Sequence, residues 1–223
     1  MSQQPAISHE APIYDRQQLP VRTPEPLFGR EPDLTSARLV LRAGAAVLLH
    51  GSGGVGKTAL AAALAAGEIE QAGGVIWLDG YNEALPSLLA RIARAYGAAI
   101  PANDPFDTAA LTDTVRGLLQ TNRPLLVLDG QIRMDAAREF VRQAATGISV
   151  ILTSTPSASG PWTPQAVQPL AADDARAMLL SLSGLPPDAD IATLSEAFGG
   201  HALSIVVAAR QFAAGGVPPD EFL

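Results

Sequence analysis

The amino-acid sequence predicts an α/β protein in which a parallel five-stranded sheet lies between two layers of helices and a small all-α domain follows. Up to about residue 170, short apolar runs alternate with helical patterns, which is typical of parallel strands joined by crossover helices. Beyond that point the pattern indicates helices alone. Residues 1–24 are rich in Gln, Pro and polar side chains, a composition typical of mobile segments. We therefore expect a flexible leader at 1–24, an α/β domain at 25–170 and a helical lid domain at 171–223.

The predicted strands are short apolar runs, and the predicted helices carry apolar residues at helical spacing. We expect strands at 45–50, 75–79, 125–129, 149–153 and 166–170. Helices between them are expected at 57–70, 83–96, 108–120 and 135–145. The helical domain is expected to contain helices at 173–182, 191–198 and 202–213, separated by glycine- and proline-containing segments.

Charge and composition count against several classes of function. The 223 residues carry a formal net charge of −7 and no basic stripe, so we expect no nucleic-acid binding by this region. No apolar run is long enough to span a bilayer, and no signal peptide is recognisable. The absence of cysteine excludes disulfides and thiolate metal sites, and it suits a cytoplasmic location.

A glycine-rich segment between the first strand and the following helix indicates a phosphate-binding loop. Residues 51–58 read Gly-Ser-Gly-Gly-Val-Gly-Lys-Thr and match the P-loop pattern. Glycines let the backbone curl so that successive N–H groups point at phosphate oxygens, and the helix N-terminus adds a partial positive charge. We predict that ATP or ADP binds here with Mg²⁺, in contact with Gly51, Gly53, Gly54, Val55, Gly56, Lys57 and Thr58.

Three side chains are predicted to act on the phosphates and the metal. Lys57 can bridge the β- and γ-phosphates, and it is the only lysine among the 15 basic residues. Thr58 can ligate Mg²⁺ through its hydroxyl. Asp129 ends the third predicted strand, where an acid can hold the Mg²⁺ shell, although a strand-end Asp can also simply open a turn with Gly130. We therefore predict Lys57 and Asp129 as catalytic residues, and Thr58 and Asp129 as the metal site.

Four segments, in order along the chain, resemble motifs of the NB-ARC group of STAND-class P-loop ATPases, which are signal-transduction NTPases. The first is similar to the Gly-Arg-Glu motif of that family and the second to its Walker-B strand. The third is similar to its fourth-strand motif, which ends in arginine, and the fourth to a Gly-x-Pro segment of its helical domain. These segments are 27–31 (LFGRE), 125–129 (LLVLD), 150–155 (VILTST) and 199–205 (GGHALSI).

The resemblance implies a sheet order of 5-1-4-3-2 and an adenine site between the two domains. Phe28, Gly29 and Arg30 would then lie beside the base, and Ala202 would close over it from the helical domain. Thr155 would stand where the family has an arginine that contacts the γ-phosphate. The family works as a switch: ADP holds a closed form, and exchange for ATP opens it for assembly with protein partners or with further copies.

Three departures from the family pattern fall on the site itself. Gly130 occupies the position of the family's second acid, which orients or deprotonates the attacking water. Thr155 replaces the arginine, and Ala202 replaces the proline that faces the adenine. We therefore expect at most weak, slow ATP hydrolysis, and an acid introduced at position 130 should raise the rate if the backbone accepts it.

The other conspicuous side chains are expected to have structural roles. Trp162 is expected to pack over the domain seam rather than to cover the nucleotide. His201 is expected to cap the last helix. Arg133, Arg138 and Arg142 follow the Walker-B strand; one could act as an arginine finger on a neighbouring copy, but a solvated helix face is the favoured interpretation.

The sequence thus favours an ATP/ADP-binding switch and leaves two other functions open. One is an AAA-like ATPase that remodels a partner, which would need a catalytic acid. The other is a module that holds nucleotide for structure only. A GTPase is disfavoured because the guanine-binding Asn-Lys-x-Asp motif needs a second lysine.

Overall fold

The structure is a computed structural model that describes residues 19–21, 23, 25–68, 73–81, 83–98, 107–131, 133–186 and 191–215. Most of the predicted leader therefore lies outside the described residues. The described part of that leader packs against the protein: Leu19 is buried beside the first helices, and the Thr23 hydroxyl lies 3.5 Å from the carbonyl oxygen of Ala62. The packed part of the chain thus begins by Leu19 rather than after residue 24.

Helices and strands alternate through the α/β domain, and helices alone follow. The strands are β1 Ala46–His50, β2 Val75–Tyr81, β3 Leu125–Gln131, β4 Val150–Ser154 and β5 Thr163–Ala166. The helices are α1 Glu31–Arg42, α2 Lys57–Glu68, α3 Leu85–Ala95, α4 Thr108–Asn122, α5 Met134–Gln143, α6 Ala172–Ser183, α7 Ala192–Ala197 and α8 Ala202–Ala213. The sequence analysis did not predict α1, which begins at the glutamate of the Gly-Arg-Glu motif.

All five strands are parallel and lie in the order β2-β3-β4-β1-β5. This is the predicted order 5-1-4-3-2 read from the other edge, so the predicted fold class is confirmed. β1 lies between β4 and β5, and β3 is the next strand beyond β4. The carboxyl ends of β1, β3 and β4 therefore meet at one edge of the sheet, where parallel α/β folds bind ligands.

Alternate residues of each central strand face different helical layers. On β3, Leu126 and Leu128 pack toward α3, α4 and α5, whereas Leu125 and Val127 pack toward α1 and α2. The side chains in both layers are almost wholly removed from water. Burial on both faces explains why these strands read as continuous apolar runs rather than as alternating patterns.

The fifth strand was predicted at the wrong residues. It spans Thr163–Ala166, not 166–170, and it pairs with β1 from Val47↔Thr163 to His50↔Ala166. Its side chains are mostly exposed because it is an edge strand, so it lacks the apolar run used to find strands. The apolar residues after it are buried for other reasons: Val167 packs with α2, and Leu170 packs with the helical domain.

The predicted position of Trp162 was also wrong. Its indole is buried in the core on the α3–α5 side of the sheet rather than over the domain seam. The indole N–H donates to the carbonyl of Ala158 at 2.8 Å, and the ring covers Gly160. Trp77 lies in the core, as expected.

The helical domain packs α6 and α8 around a small core of its own, which includes Leu179 and Ile205. Leu170 joins this core, and its N–H donates to the carbonyl of Gly200 at 2.9 Å. None of the helices among the described residues is long and apolar enough to cross a membrane.

The glycine pair before α8 offers a matched test of this seam. Gly199 and Gly200 have φ of +53° and +71°, but a Cβ at Gly199 would meet nothing within 4 Å, whereas one at Gly200 would collide with the carbonyl of Leu170. We expect Gly199→Ala to lower the free energy of unfolding by about 1 kcal/mol, because alanine disfavours the left-handed backbone conformation at this position. Gly200→Ala should lower it by about 1–3 kcal/mol more, because the added Cβ would also push the carbonyl of Leu170 away and separate the two domains locally.

The measurement is urea unfolding followed by circular dichroism, since both tryptophans lie in the α/β domain and would not report on the helical domain. Equal costs for the two substitutions would show that the contact between Gly200 and Leu170 does not hold the seam.

Candidate nucleotide-binding site

The predicted phosphate loop connects the end of β1 to the first turn of α2. Gly54 and Gly56 have φ of +75° and +109°, values that side chains other than glycine rarely adopt. The N–H groups of Gly54, Gly56, Lys57 and Thr58 find no acceptor within the described part of the chain. Free amides at a helix N-terminus form an anion-binding site.

Every carbonyl of loop residues 51–56, by contrast, accepts a hydrogen bond from elsewhere in the protein. Lys57 Nζ donates to the carbonyls of residues 51 and 52 at 2.9 and 2.8 Å, and His201 Nε2 lies 2.6 Å from that of residue 53. The carbonyl of residue 54 accepts the N–H of Leu203 at 3.0 Å, and the carbonyl of residue 55 accepts a guanidinium N–H of Arg30 at 2.9 Å. The carbonyl of residue 56 accepts the N–H of Leu60 at 2.9 Å. The loop is thus held from its carbonyl side.

Lys57 projects over this loop as the only lysine of the chain. Partial burial lowers the pKa of its ammonium from the usual value, and the negative charge of Asp129 partly offsets this effect. An ammonium close to free backbone amides suits a phosphate ligand.

Asp129 and Thr58 are adjacent at the carboxyl end of the sheet. The Thr58 hydroxyl donates to Asp129 Oδ1 at 3.0 Å, and the Thr153 hydroxyl donates to the same oxygen at 2.7 Å. Mg²⁺ takes one or two protein oxygens and completes its shell with water and substrate phosphates. The hydroxyl of Thr58 and the carboxylate of Asp129 fit such a site, and a dense cluster of protein ligands is not required.

The sequence analysis missed the role of Thr153. Its side chain is 2% exposed, and its hydroxyl oxygen also accepts the N–H of Gly130 at 2.8 Å. One hydroxyl therefore fixes both the Asp129 carboxylate and the backbone that follows it. An inward-facing threonine at the end of β4, next to the Walker-B strand, could have pointed to this role.

Gly130 has a φ of +100°, outside the range that L side chains normally adopt. We expected an acid at position 130 to raise the rate of hydrolysis if the backbone accepted a side chain. The observed φ disfavours any side chain at this position.

The Gly-Arg-Glu segment lies next to the phosphate loop and α6, and its contact with a base stays a prediction. Phe28 lines the cavity beside the phosphate loop, whereas Gly29 lies against the Asp174 carboxylate of α6. Arg30 does not line the cavity. The residue is only 5% exposed, and its guanidinium donates to the carbonyls of Val55 and Gln168 at 2.9 and 2.8 Å. Arg30 therefore ties the loop to the chain that follows β5.

The cavity has a volume of about 910 Å³, is partly open to solvent and is bordered by three parts of the chain. The phosphate loop and the start of α2 form its polar end. The other walls come from the segment before α1 and from helices α6 and α8. Its lining residues are Val21, Thr23, Glu25, Pro26, Phe28, Gly54, Gly56, Lys57, Thr58, Ala59, Met178, Leu182, Ala202, Leu203, Val206 and Arg210.

Two further predicted residues lie on opposite sides of this region. Ala202 lines the cavity from the first turn of α8, and its contact with the adenine stays a prediction. Thr155 is exposed just after β4 and is not among the lining residues. Its contact with a γ-phosphate stays a prediction.

His201 occupies the N-cap position of α8, but its side chain makes no capping hydrogen bond to the helix backbone. The imidazole instead reaches across the domain seam to the Gly53 carbonyl, while Nδ1 lies 2.9 Å from Ser204 Oγ. This contact between the domains was not predicted.

The arginines that follow β3 are placed in structural contacts. Arg133 pairs with Asp135, and Arg138 donates to the carbonyl of Ser159 at 2.6 Å. These contacts favour the interpretation of a surface helix over that of an arginine finger.

Comparisons with known proteins rest on structure, because no family model and no curated protein sequence matches the chain. Among solved structures, the Aeropyrum pernix ORC1 protein in complex with DNA gives a TM-score of 0.62 at 18% identity, covering 86% of this chain and 61% of that one. The ADP form of the A. pernix ORC2 protein gives 0.61 at 16% identity, covering 92% and 70%. The chain has the fold of the P-loop ATPases.

A third similar structure is a Pyrococcus horikoshii signal transduction ATPase with numerous domains (STAND), which carries a tetratricopeptide repeat sensor. Its TM-score is 0.56 at 17% identity, with 88% of this chain and 30% of that chain covered. The chain therefore spans less than a third of that protein and 61% of the ORC1 chain.

The backbone at position 130 yields a prediction with a matched control. Gly130→Glu should destabilise the protein by about 1–3 kcal/mol because it forces a side chain into a rare φ region. The Gly130→Glu protein should release phosphate from ATP no faster than the unmodified chain. Gln131→Glu adds the same charge one residue later, at an exposed position, and should leave stability within about 0.5 kcal/mol.

The measurements are urea unfolding and a phosphate-release assay on all three proteins. A stable Gly130→Glu protein with faster phosphate release would contradict this account of the site.

Proposed function

We propose that the chain is an ATP/ADP-binding molecular switch of STAND type, with Mg²⁺-dependent hydrolysis that is slow. The observation that carries the proposal is the position of the cavity. Its polar end is the phosphate loop, and its walls include α6 and α8 of the helical domain. A nucleotide in this cavity would contact both domains at once.

The far end of the cavity has the chemistry of a base site. Phe28, Met178, Leu182 and Val206 provide apolar and aromatic surface for a flat ring. Adenine suits such walls, and the diphosphate would then reach the free amides of the loop and the ammonium of Lys57. Thr58 and Asp129 would hold the Mg²⁺ that neutralises phosphate charge.

A ligand that touches both domains can act as a switch only through its differential affinity for closed and open forms. Two hydrogen bonds already join the helical domain to the loop. One links the His201 side chain to the carbonyl of residue 53, and the other links the N–H of Leu203 to the carbonyl of residue 54. Bound nucleotide would add contacts to both sides of this seam and stabilise closure further. Opening would then expose surfaces for protein partners or for further copies.

Slow turnover follows from the side chains around Asp129. Gly130 supplies no acid to activate water, and Thr155 supplies no charge to the γ-phosphate. These losses affect hydrolysis more than binding of the β-phosphate. They support a protein that spends long periods with nucleotide bound.

An AAA-like ATPase that remodels a partner is the second candidate, and the similarity to ORC-type folds is the observation that favours it. The phosphate-release assay separates the two. A rate well above ~1 s⁻¹, the low end of typical enzymes, that is abolished by Asp129→Asn would favour the remodelling ATPase.

Absence of nucleic-acid binding stays a prediction from the net charge of −7, because one of the similar structures is a complex with DNA.

Lys57→Ala tests nucleotide binding directly. A charge-assisted hydrogen bond to phosphate contributes roughly 1.5–3 kcal/mol, so affinity for ADP and ATP should fall by about one to two decades. Lys57→Arg keeps the charge but replaces a compact ammonium with a planar fork, and it should also bind weakly. Calorimetry that finds unchanged affinity for Lys57→Ala would remove the phosphate-loop assignment.

Hydrogen exchange tests whether the nucleotide bridges the domains. ADP should protect residues 51–58 and also 199–205, and the stabilisation should reach about 2.7 kcal/mol at a hundredfold excess over Kd. An ATP analogue should protect both segments to a similar extent, because Thr155 carries no charge to distinguish the γ-phosphate. Peptides from α4 serve as the internal control. Protection of 51–58 alone would mean that the helical domain does not touch the ligand, and the switch proposal would fail.

A further inference from the structure

We propose that His201 is a positioning residue for phosphate binding, which acts across the domain seam through the carbonyl of Gly53. The inference rests on the proposed function and extends it, since it assigns to the helical domain a role in shaping the phosphate loop itself. Its basis is a side-chain hydrogen bond from the N-cap residue of α8 to the loop, in which His201 Nε2 lies 2.6 Å from the carbonyl oxygen of Gly53.

The argument begins with the geometry of the peptide group. In a trans peptide the C=O and the following N–H point in opposite directions. A donor that holds the carbonyl of Gly53 on the helical-domain side therefore directs the N–H of Gly54 away from that side. Arg30, which holds the carbonyl of Val55, directs the N–H of Gly56 in the same manner. Gly54 and Gly56 both line the cavity, so these amides are available to a phosphate.

The hydrogen-bond partners of His201 assign the proton on its ring. A carbonyl oxygen only accepts, so Nε2 must carry the hydrogen that reaches Gly53. Nδ1, 2.9 Å from Ser204 Oγ, then accepts the serine hydroxyl in the neutral ring. Ser204 lies one turn along α8 and thereby fixes both the tautomer and the orientation of the imidazole.

The glycine at position 54 fits the same interpretation. The P-loop pattern fixes glycine at the positions of Gly51 and Gly56 but leaves position 54 free. Here φ is +75°, and a Cβ would lie 2.6 Å from Cε1 of His201 and 2.9 Å from Cβ of Leu203. The loop therefore needs glycine at this position because the helical domain approaches so closely.

The role of His201 can be separated from simple closure of the domains by the choice of ligand. Inorganic pyrophosphate with Mg²⁺ contacts only the loop, adenosine contacts only the base end, and ADP contacts both. If His201 shapes the loop, its loss weakens pyrophosphate and ADP binding by the same factor and leaves adenosine binding unchanged. If it merely holds the helical domain closed, adenosine binding falls as well, because α6 and α8 form the walls around the base.

The experiment measures Kd by calorimetry for these three ligands with four proteins: the unmodified chain, His201→Ala, His201→Gln and Val207→Ala. His201→Ala should lose about fivefold in affinity for ADP and pyrophosphate, as expected for one neutral hydrogen bond. His201→Gln retains an N–H donor of similar reach and should recover most of that loss. Val207 is a half-exposed residue of the same helix outside the cavity lining, so Val207→Ala should bind all three ligands as the unmodified chain does.

The outcomes distinguish this inference from the function on which it rests. An unmodified chain that binds neither ADP nor pyrophosphate overturns the proposed function, and the inference with it. Normal binding by the unmodified chain, together with unchanged pyrophosphate affinity in His201→Ala, overturns the inference alone. An equal loss for adenosine, or no recovery in His201→Gln, also overturns it and assigns His201 to domain closure.

Discussion

The peptide groups between β1 and α2 must turn their carbonyls to one side of the loop so that the N–H groups remain free on the other. Residues 51, 54, 55 and 56 are buried or half-buried, and a carbonyl without a donor is costly there, so each of these four requires a partner, whereas residues 52 and 53 are exposed. Lys57 serves the first two carbonyls, the helical domain the next two, Arg30 the fifth and α2 the last. The surroundings of the loop follow from this requirement. Arg30 supplies the donor for the buried residue 55 and Leu203 supplies the donor for the half-buried residue 54, while His201 adds a hydrogen bond to the exposed residue 53.

The same requirement explains why the two domains form one site. The seam is closed by short contacts to glycine, at Gly29 against α6, at Gly54 against α8 and at Gly200 against Leu170. Each contact leaves no room for a Cβ, and each glycine also has positive φ. The glycines of the Gly-Arg-Glu and Gly-Gly-His segments thus act as points of close approach between the domains. The base end of the cavity is a consequence, since α6 and α8 are brought over the loop and enclose the space beside Phe28.

Much of the fold could be predicted from the sequence because its central strands are buried on both faces. The runs around Leu48, Val127 and Ile151 are apolar throughout. The order of the strands is what the resemblance implies, and that resemblance rests on four segments besides the phosphate loop. β5 was misplaced because an edge strand with Thr163 and Gln165 has no apolar run. Trp162 was placed at the seam because proline-rich context suggested a surface loop, whereas its ring fills a gap beside Gly160.

The candidate site was predicted less completely, and for a physical reason. Lys57, Thr58 and Asp129 belong to patterns with fixed spacing, so local sequence indicates them. Arg30 and His201 act through contacts with backbone far away in sequence, and nothing near them in the chain identifies the partner. The position of Thr153 at the end of β4 was a usable signal, but its partner Asp129 is also distant in sequence. The φ of Gly130 likewise has no sequence signal, although it decides whether an acid could function there.

The most direct test of the account is an experimental structure of the full chain with Mg²⁺ and ADP. The account predicts the diphosphate on the N–H groups of Gly54, Gly56, Lys57 and Thr58. It also predicts the base between Phe28 and Val206, with the carbonyls of residues 53 and 54 still bonded to the helical domain. A structure in which ADP lies outside this cavity, or in which the base makes no contact with α6 or α8, would contradict it.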